Sequence, residues 1–221
     1  MTSSNSQNNS ALKSVGIGLG ILAVIAVCVY GLMRLGASSN PTGVTGGDIP
    51  SVSASDWTRG NLYAKNILVE YSDLQCPACG AYEPLIRQLM KDFDNQILLV
   101  YRHFPLSQHI HAELASQAAE AAGKQGQFWE MHDLLFDRQG SWENAKDAEA
   151  TFKGYAKELG LDEAKFAADL NSDEIKKLVD EDANGGLHAG VNSTPTFYLN
   201  GKKITNPKTY EEFKTLIQSG S

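Results

Sequence analysis

Cysteine is scarce in this 221-residue chain, which has three: Cys28, Cys76 and Cys79. Cys28 lies in a long apolar run and the other two are near neighbours, so no framework of structural disulfides is available. Two close cysteines are also half of a zinc site, but the second pair of ligands that such a site needs has no match in the sequence. Blocks of lysine and arginine are missing as well, and the formal net charge is -7. Nucleic-acid binding therefore has no electrostatic support, and the acidic balance serves solubility. No internal repeat is present. His103, His109, His111, His132 and His188 are scattered, and no third ligand is spaced to join His109 and His111. Core or surface roles suit them better than a metal.

Charge is absent altogether from Val15 to Met33 (VGIGLGILAVIAVCVYGLM). A helix of roughly 20 such residues crosses a bilayer. Lys13 and Arg34 flank the run almost symmetrically and orient it only weakly. One reading is an uncleaved signal anchor over 15–35, with the rest of the chain outside the cell membrane. The other is a signal peptide cleaved near Gly36-Ala37-Ser38. The run exceeds the usual 7–15-residue apolar core of a signal peptide, which favours the anchor. Val27 before Cys28 is too large for a lipid-attachment site, so Cys28 reads as membrane-embedded without chemistry. A polar tail (1–14) precedes the anchor. A Ser/Gly/Thr/Pro-rich stretch (36–55) reads as a flexible linker, and the folded domain is expected over 56–221.

That domain carries the apolar run Asn66-Ile67-Leu68-Val69-Glu70-Tyr71, of which Ile67–Tyr71 reads as a buried strand, followed by Cys76-Pro77-Ala78-Cys79 at the start of a helix. Pro77 suits the first helical position. The orphan N–H groups of a helix start, and its dipole, favour a thiolate on Cys76. A thiolate beside a second thiol can make and break disulfides, so thiol–disulfide exchange is the expected chemistry. The helix should reach toward Phe93 with a kink near Pro84. Ile97–Arg102 reads as a second, parallel strand. Helices are expected over Ala112–Ala122, Phe128–Phe136, Ala148–Leu159, Glu163–Leu170 and Asp173–Ala189, with Asp162 and Ser172 as N-caps and Gly160 ending a helix. Thr194–Ile204 reads as a strand, an Asn200-Gly201 turn and a second strand, a hairpin pattern. Asn206-Pro207 should start a last helix.

The order βαβ, helical segment (about 107–190), ββ, α is a thioredoxin fold with an inserted helical subdomain. With the stretches VEYSDLQCPACGAYEP, YRHFPL, HIHAELAS, GQFWEMHDLLF and STPTFYLNGKK, the chain resembles the DsbA-like thiol–disulfide oxidoreductases, the membrane-anchored or secreted bacterial kind. The likeness spans most of Lys65–Ile217. It implies that Cys76 is the nucleophile and Cys79 the resolving thiol. It implies that Glu70 is a buried acid whose raised pKa lets it exchange a proton with Cys79; the plain alternative is an exposed strand-end glutamate. Asp73 is a weaker candidate for that work than for a loop role. The resemblance further implies that the Thr194–Pro195 bond is cis and faces Cys76, where Thr194 would pair with extended substrate. Sequence alone would favour a trans proline opening an edge strand. Pro77 and Ala78 line the same surface. Ala78 stands where the strongly oxidising DsbA pattern has histidine, so a less acidic Cys76 and a less oxidising disulfide are expected. Phe104-Pro105-Leu106 and Phe128-Trp129 should pack the insert, and the Asn192-Ser193-Thr194 sequon reads as chance.

The implied activity is disulfide formation in exported proteins that carry cysteine pairs, with a membrane redox partner restoring the disulfide. The cysteines carry the electrons, so no organic cofactor is expected. A reductase or isomerase kept reduced by a membrane donor, a non-catalytic peptide-binding module and a Cu(I)-binding dithiol are the alternatives.

Overall fold

The computed structural model describes residues 49–220. The Val15–Met33 run, the tail and Cys28 lie outside the described residues. Among the described residues, no helix is long and apolar enough to cross a membrane.

Five strands form one sheet in the order β1-β3-β2-β4-β5. β2 (Asn66–Ser72) and β3 (Ile97–His103) are parallel and central, joined by α1 (Pro77–Asp92). β4 (Thr196–Leu199) runs antiparallel to β2, and β5 (Lys202–Lys203) pairs with β4. Both faces of β2 are covered, which is why it reads as an unbroken apolar run rather than an alternation. Leu68 packs with Ile86, Leu89, Phe197, Phe213 and Ile217 on the side of α1 and of α8 (Tyr210–Ser219). Ile67, Val69 and Tyr71 pack on the opposite side with Leu98, Val100, Phe104 and Tyr198. Alternation along a strand then places Glu70 and Ser72 on the face of Leu68, toward α1.

β1 (Trp57–Gly60) was not expected from the sequence. It is four residues long and partly exposed, too short for its pattern to stand out, and it pairs antiparallel with β3. Ordered contacts also start before Asp56. Ile49 and Val52 pack against the sheet, and the carbonyls of Pro50 and Ser51 accept hydrogen bonds from Arg102. Part of the stretch expected to be linker is thus docked on the domain.

Between β3 and β4 lie α2 (Ala112–Gly123), α3 (Phe128–Asp137), a single turn α4 (Gln139–Trp142), α5 (Ala148–Glu158), α6 (Glu163–Leu170) and α7 (Asp173–His188). Six alanines of α2 are buried, which lets neighbouring helices approach closely around Phe128, Trp142, Phe152 and Phe166. Asp147, Asp162 and Ser172 cap their helices by accepting from the N–H three residues on. Gly160 (φ 71) follows α5 in the left-handed conformation. Gly186 of α7 lies against Phe104 and Tyr71, where a Cβ would sit 2.7 Å from the Phe104 ring. Asn200 (φ 51) and Gly201 (φ 83) make the turn between β4 and β5.

Two local expectations change. Pro84 sits on the exposed side of α1, and the helix continues through it. The last helix starts at Tyr210 with Thr209 as its cap, not at Asn206-Pro207. Asn206 is engaged elsewhere, its Nδ2 donating to the carbonyl of Pro195 at 2.6 Å.

Candidate active site

The site is built where β2 ends, α1 begins and the segment before β4 passes. Cys76 is the N-cap of α1, with Pro77 opening the helix. No side chain makes a cap hydrogen bond at this helix start, and the first turn carries no acid. An N-cap side chain ordinarily accepts from the N–H groups two and three residues on. Here those belong to Ala78 and Cys79, so an ionised sulfur takes the part that a serine or aspartate oxygen plays elsewhere. Both cysteines are free thiols, and both are buried. Pro77 and Ala78 between them are exposed.

The Cys76 thiol is drawn down from 9.0 to about 5. The hydrogen bond from the Cys79 thiol is the largest cause. Burial opposes it, and the Thr194 side chain and the N–H groups of Cys79 and Ala78 reinforce it. Cys79 moves the other way. Burial raises its thiol well above the ordinary value, and its role as donor to Cys76 and the nearby charges of Cys76 and Glu70 raise it further. One sulfur is thus held as a thiolate and the other as a thiol.

The Thr194–Pro195 bond is cis. It brings the Thr194 carbonyl to 3.6 Å from Cys76 Sγ, which donates to it in the thiol form. Thr194 Oγ1 is buried and has no partner among the described residues in the dithiol state, so ionisation of Cys76 supplies it with an acceptor.

Glu70 lies beneath the motif and is 2% exposed, so the exposed-glutamate alternative is set aside. Burial, then the negative charge of Glu83, raise its carboxyl from 4.5 to about 8, with Ser72 opposing. Glu83 is a site residue that the sequence reading passed over. The signal was available: Cys79, Glu83, Ile86 and Met90 form one buried stripe of α1, and a glutamate in such a stripe is out of place.

The loop between β2 and α1 is clamped by residues that are hard to pick out of a sequence. The buried Asp73 carboxylate accepts from the N–H groups of Gln75 (2.7 Å) and Leu106 (2.9 Å). His109 Nδ1 lies 2.7 Å from it. The Asp73 N–H points at Cys79 Sγ at 3.5 Å. Its role is the loop role, as expected. Gln75 accepts from the His111 N–H and donates to the Glu143 carbonyl, 2.6 and 2.7 Å. Gln139, on the unexpected turn α4, donates to the carbonyls of Leu74 (2.8 Å) and Cys76 (3.1 Å). The helical insert therefore holds the nucleophile's loop from above.

Glu83, His132 and Asp133 place one ligand-type atom each within 4.8 Å of one another. Arg87 donates to Glu83 (2.9 Å) and Arg59 to Asp133 (2.8 Å). Two guanidinium groups already neutralise these carboxylates, so the cluster is an ion-pair network rather than a cation site.

This dithiol, at a helix start, opposite a cis proline and above a buried acid, is an arrangement for disulfide exchange. The thioredoxin family ("Thioredoxin") matches residues 53–219. In solved structures, the fold is similar to BdbD from Bacillus subtilis (TM-score 0.69, 24% identity, 78% of this chain and 95% of that one). It is also similar to alpha-DsbA1 from Wolbachia pipientis (TM-score 0.68, 19% identity, 76% and 92%). Among curated proteins, the chain is 40% identical over 172 residues to a Na(+)/H(+) antiporter NhaA 1 of Salinispora arenicola, covering 77% of this chain. A Na(+)/H(+) antiporter NhaA of Herminiimonas arsenicoxydans is 36% identical over 149 residues. The chain spans about a quarter of the length of these relatives, 26% and 23%. With residues 53–219 matched to that family, the chain belongs to the thioredoxin family.

Proposed function

We propose that the chain forms disulfide bonds in exported proteins that carry cysteine pairs, working outside the cell membrane from a Val15–Met33 anchor. The observation that carries this reading is the division of labour between the sulfurs, Cys76 held as thiolate and Cys79 as thiol, beside the Thr194 carbonyl. In the oxidised enzyme, a substrate thiolate attacks Cys76 Sγ, and the Cys76–Cys79 bond breaks. The electron pair leaves on Cys79, which takes a proton. The second substrate thiolate then attacks the substrate sulfur bound to Cys76. The substrate leaves as a disulfide, and the enzyme is left as a dithiol. The stabilised Cys76 thiolate is a good leaving group in that second step. A membrane partner restores the disulfide. The backbone of Thr194 offers an edge on which extended substrate can add as a strand.

Direction of flow is set by the potential of the pair and by its partner. Neither Pro77 nor Ala78 brings a side-chain donor to Cys76, which favours a less oxidising pair than the histidine-containing pattern. A reductase or isomerase fed by a membrane donor is the second reading on that ground. The antiporter names of the curated relatives supply no transport role, since the matched segment is about a quarter of those proteins. The test is a Cys79→Ser variant expressed in cells. Stable mixed disulfides through Cys76 with exported proteins and one membrane protein are expected. No adduct, from a chain whose wild type is functional, would defeat the proposal. A resting wild type found mostly as dithiol would favour the reductase.

A further inference from the structure

Closing the Cys76–Cys79 disulfide requires Cys79, the thiol that burial keeps protonated, to lose its proton inside the protein. Glu70 shares the face of β2 that turns toward α1 and its charge acts on Cys79, but Glu70 is buried and cannot hand a proton to water directly. A route onward begins at Glu83, also buried, whose charge acts on Glu70. Glu83 lies within 4.8 Å of a ring nitrogen of His132 and a carboxylate oxygen of Asp133. His132 Nδ1 is 2.9 Å from Asp133 Oδ1. Burial disfavours the Asp133 anion, yet hydrogen bonds from His132 and Arg59 outweigh this and keep it ionised. An ionised carboxylate only accepts, so Nδ1 carries the ring proton, and Nε2 presents a lone pair. That Nε2 is buried and has no partner among the described residues. Tyr101 Oη is a further buried oxygen without a hydrogen-bond partner among the described residues. Ser72 favours the ionised forms of both Glu70 and Cys79, and Tyr101 is the register partner of Glu70 and feels Glu70, Cys79, Asp73 and Glu83. Its ring meets that of His132 edge-on, with centroids 4.6 Å apart. At the far end, the Asp133 side chain is 31% exposed.

We propose that His132 of α3 carries the proton that Cys79 gives up, passing it from the buried Glu70 and Glu83 carboxylates to Asp133 and water. This rests on the thiol-exchange reading and adds a residue of the helical insert to it. In the closing step, Cys79–SH transfers its proton to the Glu70 carboxylate. The Cys79 thiolate attacks Cys76 Sγ in the mixed disulfide, the Cys76–Cys79 bond forms, and the partner sulfur departs as thiolate with the electron pair. The proton then moves to the His132 ring by way of Glu83, and the imidazolium releases its Nδ1 proton to Asp133. Tyr101 faces His132 from β3 and Arg59 reaches Asp133 from β1. Glu83 comes from α1 with Arg87 behind it, and Asp137 of α3 pairs with Arg87.

The test separates the two halves of the reaction in the full chain. Reduced protein is mixed with oxidised glutathione. Acid quenching and mass spectrometry then follow formation of the glutathione adduct at Cys76 and its conversion to the Cys76–Cys79 disulfide. His132→Phe keeps the ring packed among Tyr101, Phe128, Trp129 and Phe136 but removes both nitrogens. His132→Gln keeps a hydrogen bond to Asp133 without a titrating ring. Adduct formation is expected at the wild-type rate in both. Closure should be slower by about tenfold and lose part of its pH dependence, a modest share of what a positioned proton-transfer group supplies. Wild-type closure should itself be slower in D2O. Closure with an unchanged rate and pH profile in the variants, or adduct formation and closure slowed together, would overturn the relay, as would equal wild-type closure in H2O and D2O. A wild type that never forms the internal disulfide would instead defeat the thiol-exchange reading beneath it.

Discussion

Cys76 and Glu70 have opposite pH behaviour, and each makes a measurable statement. With its thiol drawn to about 5, Cys76 should react with iodoacetamide at a rate that rises through an inflection near that pH. A free cysteine continues to rise toward about 8.5. An inflection above about 8 would contradict the capping geometry. The depressed value also supports the reduced fold. That support is complete above the unfolded value, near 9, and is lost as pH falls through about 5. Glu70 has the reverse sign, since its carboxyl is raised to about 8. The neutral form suits the fold, so relative stability is greatest below the unfolded value near 4.5 and declines as pH rises through about 8. Glu70→Gln should therefore stabilise the reduced protein by roughly 3 kcal/mol at neutral pH and hardly at all at about pH 4. It should also slow disulfide closure. Urea denaturation at the two pH values checks the first, and quench kinetics the second.

The elements meet at the loop between β2 and α1, and the insert determines how firmly it is held. Asp73 serves two backbone N–H groups and His109 from a buried position. Asp73→Ala would leave those donors unpaired and should cost about 3 kcal/mol or more, given roughly 1–3 kcal/mol for each buried group left unsatisfied. Chemical denaturation reads the loss. Alkylation of Cys76 should also lose selectivity over Cys79, because a loop without its carboxylate clamp no longer aims the backbone N–H of residue 73 at the Cys79 sulfur. Gln75→Ala should act in the same direction by cutting the ties to His111 and Glu143. A mutant as stable as wild type would mean that the clamp is decorative.

For the domain as a whole, one buried ion pair sets where the folded body begins. Arg102 on β3 reaches Asp56 at 2.7 Å, both side chains being 5% exposed, and the same guanidinium holds the carbonyls of Pro50 and Ser51. Asp56→Ala would strand the arginine, at a cost of about 3–5 kcal/mol. It should free residues 50–55 to proteolysis while leaving the redox chemistry intact. Limited digestion and a melting curve test this. Redox poise is also a property of the assembled domain, since it compares the dithiol and disulfide folds. A Cys76 thiol near 5 is above the value of about 3.5 known for DsbA. The midpoint potential should accordingly be more negative than about −120 mV. Equilibration with glutathione buffers gives the number.

Much of this fold is written locally. Central strands of Val, Ile and Leu, side-chain caps such as Asp162 and Ser172, and the Asn200-Gly201 turn act through their immediate neighbours in the chain, so their pattern is legible without coordinates. So is the Cys76-Pro77-Ala78-Cys79 motif, because a helix start acts on the residues that form it. β1, α4 and the start of α8 were not legible, since each is decided by distant partners: β1 by an edge of β3, Gln139 by the carbonyls of Leu74 and Cys76, and Asn206 by the carbonyl of Pro195. The same division holds in the site. Two cysteines announce exchange chemistry, but which is thiolate, how far Glu70 is raised and whether a histidine of the insert faces it depend on burial and on charges brought together from separate elements. Burial and long-range charge are properties of the packed chain, and no single segment contains them.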